Sequence, residues 1–349
     1  MKITLIEYDT ELGNSILKFN ITGNINTSHM NAFRRILYSS IKVRAFENFN
    51  FKKNTSVFHE GNIKKRISQL PIWISDDIIN NQTISIQPPI DIKKNKIDMR
   101  NNNDDDYNDD NYDNNEDIED KDKIKTVSLI QLTMYLKFAN KKKNEIVNVT
   151  TDDCLFYLGE KKIESPFDQP LLLLKLQPEE KEQEIEMSAI TDINDENYHT
   201  IYGCVGLVGY TMVDNIKDEF IFSMQSRGQI SEKQLLLISI DKIKKMLDYF
   251  LSLVIKNKEL NNVTNGSFKI INNNNIIDDL HTLGCLVVTE LNNNDNVQVS
   301  TYNLTHLLSD TIIFNFILKK GNIINIIKES IEKIKNTFDN IKIEIENKI

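Results

Sequence analysis

Apolar residues recur along this chain with two helix-length rhythms. From about Ser231, the residues Leu236, Ile240, Ile243, Leu247, Phe250 and Val254 step by 4, 3, 4, 3 and 4 positions. After Gly321-Asn322, Ile327, Ile331, Ile334, Phe338, Ile341 and Ile345 do the same. Such spacing holds the apolar side chains on one face of a helix and leaves a stripe that needs a helical partner. Each predicted helix follows a strand-like run, Glu219 to Met224 in the first case and Thr311 to Ile317 in the second, across a polar turn. Strand, turn and long helix therefore occur twice.

An earlier helix is expected in each half. In the first, Ser28 is suited to the N-cap, Met30, Phe33, Ile36, Leu37 and Ile41 share a face, Arg34 sits at its edge and Arg35 points away. In the second, Leu283, Leu286, Val287, Glu290 and Leu291 follow His281-Thr282-Leu283-Gly284, with valines and a glycine lowering helix propensity. Residues from about 60 to 200 read as β-rich, with candidate strands at Thr83–Ile86, Val127–Phe138 and Leu171–Leu176. Residues 100–123 are almost wholly Asn, Asp and Glu, too polar to offset the entropy of ordering, and read as a disordered surface loop. The polar stretch 256–266, between the first long helix and a strand-like segment at Ser267–Ile271, is the best domain boundary.

The chain has 349 residues, length for two ordinary domains, and a formal net charge of -9. Segment 100–123 holds 9 Asp and 2 Glu against 1 Arg and 2 Lys, so it carries almost all of that excess and leaves the rest near neutral. Non-specific nucleic-acid binding through global charge is disfavoured. Frequent Asn, Ile and Lys point to AT-rich coding more than to chemistry. Cys154, Cys204 and Cys285 lie far apart with no C-x-x-C pair, arguing against a disulfide framework or a zinc knuckle and for a reducing compartment. The N-terminus meets Glu7 before a signal-peptide core can form, and no apolar run approaches the ~20 residues of a membrane span.

Catalytic signatures are missing from the sequence. It has no G-x-x-x-x-G-K-[ST], G-x-S-x-G or H-E-x-x-H, and its five histidines do not fall at metal-ligand spacings. The glycines of Gly203-Cys204-Val205-Gly206-Leu207-Val208-Gly209 are spaced by three in a strand-like or turn context, unlike a dinucleotide loop. Asp109, Asn111, Asp113 and Asp120 form a poor calcium loop, because Asn114 stands where glycine is required. No compact carboxylate cluster of the kind two-metal phosphoryl transfer needs is present.

What carries information is the succession Asn31-Ala32-Phe33-Arg34-Arg35-Ile36-Leu37, Ala45-Phe46-Glu47, Asn54-Thr55-Ser56-Val57 and Arg66-Ile67-Ser68-Gln69-Leu70-Pro71. Together these resemble the N-terminal signature of the RNA polymerase assembly subunits, a family that comprises bacterial alpha, archaeal D and the third-largest subunit of eukaryotic RNA polymerase II. Phe222 to Gly228, leading into the long helix, is similar to that family's last strand and dimerisation helix, and Pro170 to Pro178 to a strand of its inserted domain. Beyond the boundary, Asp279-Leu280-His281-Thr282-Leu283-Gly284 with Leu286 resembles the D-H-T-L-G-N-L motif of the family's small partner, which is archaeal L or the eleventh eukaryotic subunit. In the motif, Leu280 is an insertion, Cys285 replaces asparagine and Val288 a usual arginine.

The resemblance implies an α+β fold of two alpha-N-terminal-domain-like dimerisation units in one chain, each an antiparallel sheet plus two helices. Residues 1–60 and 200–255 would form the first unit, 61–199 an inserted β-rich domain, 256–266 a linker and 267–349 the second unit. Phe33, Ile36, Leu37, Leu247, Phe250, Leu283, Leu286, Ile334 and Phe338 would pack an intramolecular dimer interface, so no homodimer is needed. A linker of about 11 residues spans at most roughly 40 Å and acts as a flexible tether. Asn31, Arg34, Arg35 and Arg66 would meet the second-largest catalytic subunit, Arg offering a bidentate fork to carboxylates or carbonyls. The implied partners are the second-largest and largest RNA polymerase subunits and small assembly subunits, with DNA reached only through the complex and no membrane.

The resemblance further implies a non-catalytic assembly platform without cofactors. The cysteine cluster that binds zinc or iron–sulfur in some members is missing, so no metal is expected. Fusion of two subunits with AT-biased composition resembles large cytoplasmic DNA viruses, implying host cytoplasm and virion in that case and nucleus or cytoplasm otherwise. The rival reading is a stand-alone α+β binding module or enzyme with a cryptic site, with direct DNA binding a third.

Overall fold

The computed structural model describes all residues except 10–14, 73–130, 143, 168, 179–181, 214–217, 258–259, 261–262, 273–276, 278, 305 and 307–309. The acidic segment 100–123, the candidate strand Thr83–Ile86 and the start of the candidate strand Val127–Phe138 lie outside the described residues. The chain opens with β1 (Lys2–Asp9), β2 (Ile16–Thr22), α1 (Thr27–Ser39), β3 (Val43–Asn54) and α2 (Glu60–Ser68). It continues with β4 (Leu132–Ala139), β5 (Val147–Thr150), β6 (Cys154–Leu158), β7 (Lys161–Ile163), β8 (Leu172–Leu176) and β9 (Glu184–Asn194). Then come β10 (Val205–Met212), β11 (Glu219–Ser226), α3 (Glu232–Lys256), β12 (Asn265–Ile271), α4 (Leu280–Asn292), β13 (Val297–Leu304), β14 (Thr311–Leu318) and α5 (Ile323–Lys348).

The two halves share one topology. Antiparallel sheets run β1-β2-β11-β10 in the first and β12-β14-β13 in the second. With β1 set aside, each half reads strand, helix, strand, strand, long helix, and its last strand pairs between the other two. Period-two burial explains which face the helices cover: Leu17, Phe19 and Ile21 of β2 and Phe220, Phe222 and Met224 of β11 alternate inward. Phe314 and Phe316 of β14 do the same in the second half.

Four helices close a ring between the sheets: α1 packs on α3 and α4, and α5 packs on the same two. Both halves consequently share one continuous core running from Ile3 to Ile345. The inserted domain is separate, with a five-stranded sheet β3-β9-β4-β6-β7, a two-stranded sheet β5-β8 and α2. Its own core includes Phe46, Ile63, Met134, Phe156, Leu174 and Met187.

Three boundaries differ from the sequence reading. Strand β3, assigned to the first unit by the 1–60 limit, pairs along its length with β9, so the inserted domain is entered near Phe46. Val43 and Ala45 belong to the shared core and Phe46 to the inserted one; a single strand crosses between the two. The N-cap of α1 is Asn26, whose backbone is extended and whose Oδ1 accepts from the Ser28 and His29 amides, and Ser28 lies inside the first turn. Within segment 256–266, Leu260 is buried in the shared core and β12 begins at Asn265, which anchors part of the supposed flexible tether.

Candidate assembly interface

The stripes on α3 and α5 meet, because each helix leaves uncovered on its own sheet the apolar face that the other requires. Leu247, Phe250, Ile334 and Phe338 are fully buried, as are Phe33, Ile36 and Leu37 on α1 and Leu283 and Leu286 on α4. The crossing is specific. Phe33 of the first half meets Phe338 of the second edge-to-face at 5.3 Å between ring centroids, and Phe250 of the first meets Phe314 of the second at the same separation. Each half thus places an aromatic ring against the other's element. The N-terminal strand joins in: the Ile3 amide donates to Glu344 Oε2 at 3.1 Å.

Polar contacts bind the same seam. Arg35 Nε lies 2.5 Å from Asp279 Oδ2, and Asp279 is the N-cap of α4, accepting from the His281 and Thr282 amides. A carboxylate at a helix N-terminus is favoured by the helix dipole, and the guanidinium adds an opposite charge. Arg35, expected to point away from the helix's packed face, instead bridges the two halves. Asp279 stands out in the sequence only as part of a motif; nothing local reveals that the two meet across about 240 residues.

Of the remaining expected contact residues, Asn31 and Arg34 share one helix and Arg66 lies on another. Arg34 is half-buried on α1, its Nη2 only 3.5 Å from Asn31 Oδ1 on the preceding turn, so both present polar groups from one helix face. Arg66 belongs to α2 in the inserted domain and donates from Nε to the Leu172 carbonyl at 2.8 Å. It borders a groove of about 430 Å³ between α2 and β8, lined by Phe58, Ile63, Lys65 and Leu172–Lys175.

Two buried groups escape the sequence reading. His29 packs against Phe338 at 5.5 Å, its Nδ1 is 2.7 Å from Asn26 Oδ1, and its Nε2 is buried without a hydrogen bond. Burial lowers its pKa to about 4. Cys204 is buried beside the Leu37 carbonyl, and burial pushes its thiol up to about 12. Among the described residues no group of three or more His, Cys, Asp or Glu is placed to hold a metal, and no helix is long and apolar enough to cross a membrane.

The chain thus forms a duplicated sheet-and-two-helix unit, paired with its twin through a four-helix ring and interrupted by a β-rich insertion. A model of the RNA polymerase Rpb3/Rpb11 dimerisation domain matches residues 21–247, and a second model of that description matches residues 275–344. The chain belongs to this family. It is an RNA polymerase subunit with two fused dimerisation units, the first match spanning the insertion and the second lying wholly in the C-terminal half. Rpb3/Rpb11-type domains are those of non-catalytic polymerase subunits that associate with other polymerase subunits. A comparison with curated proteins returns no match.

Proposed function

We propose that this RNA polymerase assembly subunit is a complete platform in one chain, the intramolecular equivalent of a D–L heterodimer, which docks the second-largest catalytic subunit and through it the largest. The observation that supports this reading is the shared core: two dimerisation units already satisfy each other, so the surfaces left for partners are those outside the ring. Asn31 and Arg34 on the outer side of α1 supply one such surface, and Arg66 with the α2–β8 groove supplies another. Arginine forks there pair with carboxylates or backbone carbonyls of the partner. Catalysis resides in the large subunits, small assembly subunits join the same platform, and DNA is reached only through the complex. For a large cytoplasmic DNA virus the site of action is host cytoplasm and virion; for another source it is nucleus or cytoplasm.

Co-expression of the full chain with the second-largest subunit tests the proposal. A stable complex on affinity capture is expected, lost on Arg34→Glu with the melting temperature of the free chain unchanged. Recovery of a folded chain that never captures that subunit would refute it.

A further inference from the structure

The sheets of the two halves differ in one strand. Phe19 stacks on Phe222 with ring centroids 5.4 Å apart, and Phe268 stacks on Phe314 at 5.2 Å, which equates β2 with β12 and β11 with β14. The strand ends agree, since the Gly23 amide donates to the Asp218 carbonyl and the Asn272 amide to that of Asp310, the same sequence distance from each stacked ring. In the first half β1 pairs with the far side of β2 and sets Glu7, Thr4 and Lys2 opposite Lys18, Asn20 and Thr22. The equivalent positions on β12 are Ser267, Lys269 and Ile271, and among the described residues no strand pairs with that side. Hydrogen-bond direction shows what this edge offers. The Thr264 carbonyl accepts from the Leu318 amide and the Asn272 amide donates to Asp310. Even-numbered residues of this regular strand therefore turn their backbone groups towards β14, and the odd-numbered ones turn theirs outward. Ser267, Lys269 and Ile271 thus hold N–H and C=O groups out at an open edge, where the equivalent groups of β2 face β1. Their side chains are exposed, Ile271 at 46%. An edge of this kind is a template for another strand.

We propose that the β12 edge is a strand-addition site for another polymerase subunit, which supplies to the second half the strand that β1 supplies to the first. This rests on the chain's being an RNA polymerase subunit that associates with others, and not on which subunit docks at the arginines. Strand addition draws affinity from the main-chain ladder and specificity from alternate side chains. With β1 as template, the added strand runs antiparallel to β12 and places its solvent-face side chains opposite Ile271, Lys269 and Ser267 in turn. Cross-strand neighbours stabilise when apolar meets apolar and acid meets base. Lys269 faces apolar Ile313 on β14, which leaves its charge to be met from the open side. The residue between these two positions lies opposite Ile270, as Ile3 lies opposite Ile21. The segment that fits therefore reads apolar-apolar-acidic, covering Ile271, facing Ile270 and pairing with Lys269. A lysine on an edge discourages indiscriminate pairing, so the carboxylate is what selects this partner.

Carbodiimide coupling tests this on the polymerase recovered through an affinity tag on the full chain, because the reagent joins an amine to a carboxylate already in contact with it. The expected product, read by mass spectrometry, links Lys269 to an aspartate or glutamate of another subunit within a segment of that pattern. Hydrogen exchange at the Ser267, Lys269 and Ile271 amides should be slower in the complex than in the free chain. Lys269→Pro removes an outward N–H and sets its ring in the path of the added strand. It should weaken binding of the linked subunit roughly tenfold and leave the melting temperature of the free chain unchanged. Lys269→Ala keeps the ladder and should abolish the link while Ser267 and Ile271 stay protected in the complex. Exchange at these amides that is equally fast in complex and free chain overturns the inference, as does coupling of Lys269 to this chain's own carboxylates or to a second copy. Capture of the second-largest subunit is read separately in the same preparation, so docking at Arg34 and strand addition at β12 fail independently.

Discussion

The contact between Phe33 and Phe338 joins residues 305 positions apart and belonging to different units, and a double-mutant cycle at this pair measures the pairing directly. Both rings are almost fully buried, at 3% and 0% exposure. Replacing either by Ala costs about 3–5 kcal/mol through lost transfer free energy and an unfilled cavity, a large share of the ~5–15 kcal/mol of a typical domain. The edge-to-face contact adds about 0.5–1.5 kcal/mol beyond area burial. Phe33→Leu and Phe338→Leu keep much of the volume and should each cost roughly 1–2 kcal/mol, a range narrowed from the volume-conserving and truncation limits. The double variant should cost less than the sum by at least about 0.5 kcal/mol, because the second substitution finds the ring contact already gone. The assay must report on the shared core and not on the inserted domain, which has a core of its own. Cys204 supplies that report: in a background lacking the other two cysteines, its labelling by a thiol reagent across a urea series follows opening of the core. Additivity within about 0.3 kcal/mol would mean that the rings do not touch across the units, and would refute the intramolecular pairing on which the architecture rests.

Other outcomes follow from the same geometry. The folded-state pKa of His29, near 4, lies below the 6.5 of an exposed histidine, so the unfolded chain binds the proton more readily between those values. Its contribution is therefore complete above pH 6.5 and lost as pH falls towards 4, by roughly 3 kcal/mol; urea midpoints across this range should fall more steeply for wild type than for His29→Gln. Asp279→Ala removes both the α4 cap and the Arg35 ion pair and should destabilise by about 1–2 kcal/mol, more than Arg35→Ala, whose half-exposed charge contributes under about 1 kcal/mol; calorimetric melting orders the two. Gly284→Ala would bring its Cβ to 2.6 Å from the Tyr302 ring, forcing the ring to shift, and should cost about 1–3 kcal/mol by the same measurement. In the native protein at pH 8, Cys285, half-buried, should react with a thiol reagent before Cys154 or Cys204, whose thiols burial pushes up to about 12; mass spectrometry of the labelled peptides reads the order.

Much of the architecture is legible in the sequence because it is written in local periodicity. The stripes on α3 and α5, the β-like runs before them and the polar boundary at 256–266 state two similar units without reference to any distant residue. The packing residues Phe33, Leu247, Phe250, Leu283, Ile334 and Phe338 are readable for the same reason, since an apolar side chain on an amphipathic face must find cover whatever the partner. The entry into the inserted domain is not legible: β3 is one strand, with a register shift between Phe46 and Asn48, and only the packing of its side chains shows that Phe46 serves a different core from Ala45. Nor is the role of Arg35, because charge alone does not distinguish a solvated arginine from one that meets a carboxylate folded back from residue 279.

The sequence by itself determined that two α+β units exist, that each ends in a helix requiring another helix, and that the net acidity belongs to one segment. These properties depend on neighbours a few residues apart, where periodicity and composition act. Tertiary structure alone decided which helix meets which, in what register, and which charges face each other. Those choices depend on distances between residues remote along the chain, and α3 and α5 carry the same apolar rhythm, so the pairing is visible only in contacts such as Phe33 with Phe338 and Arg35 with Asp279 that the folded chain assembles.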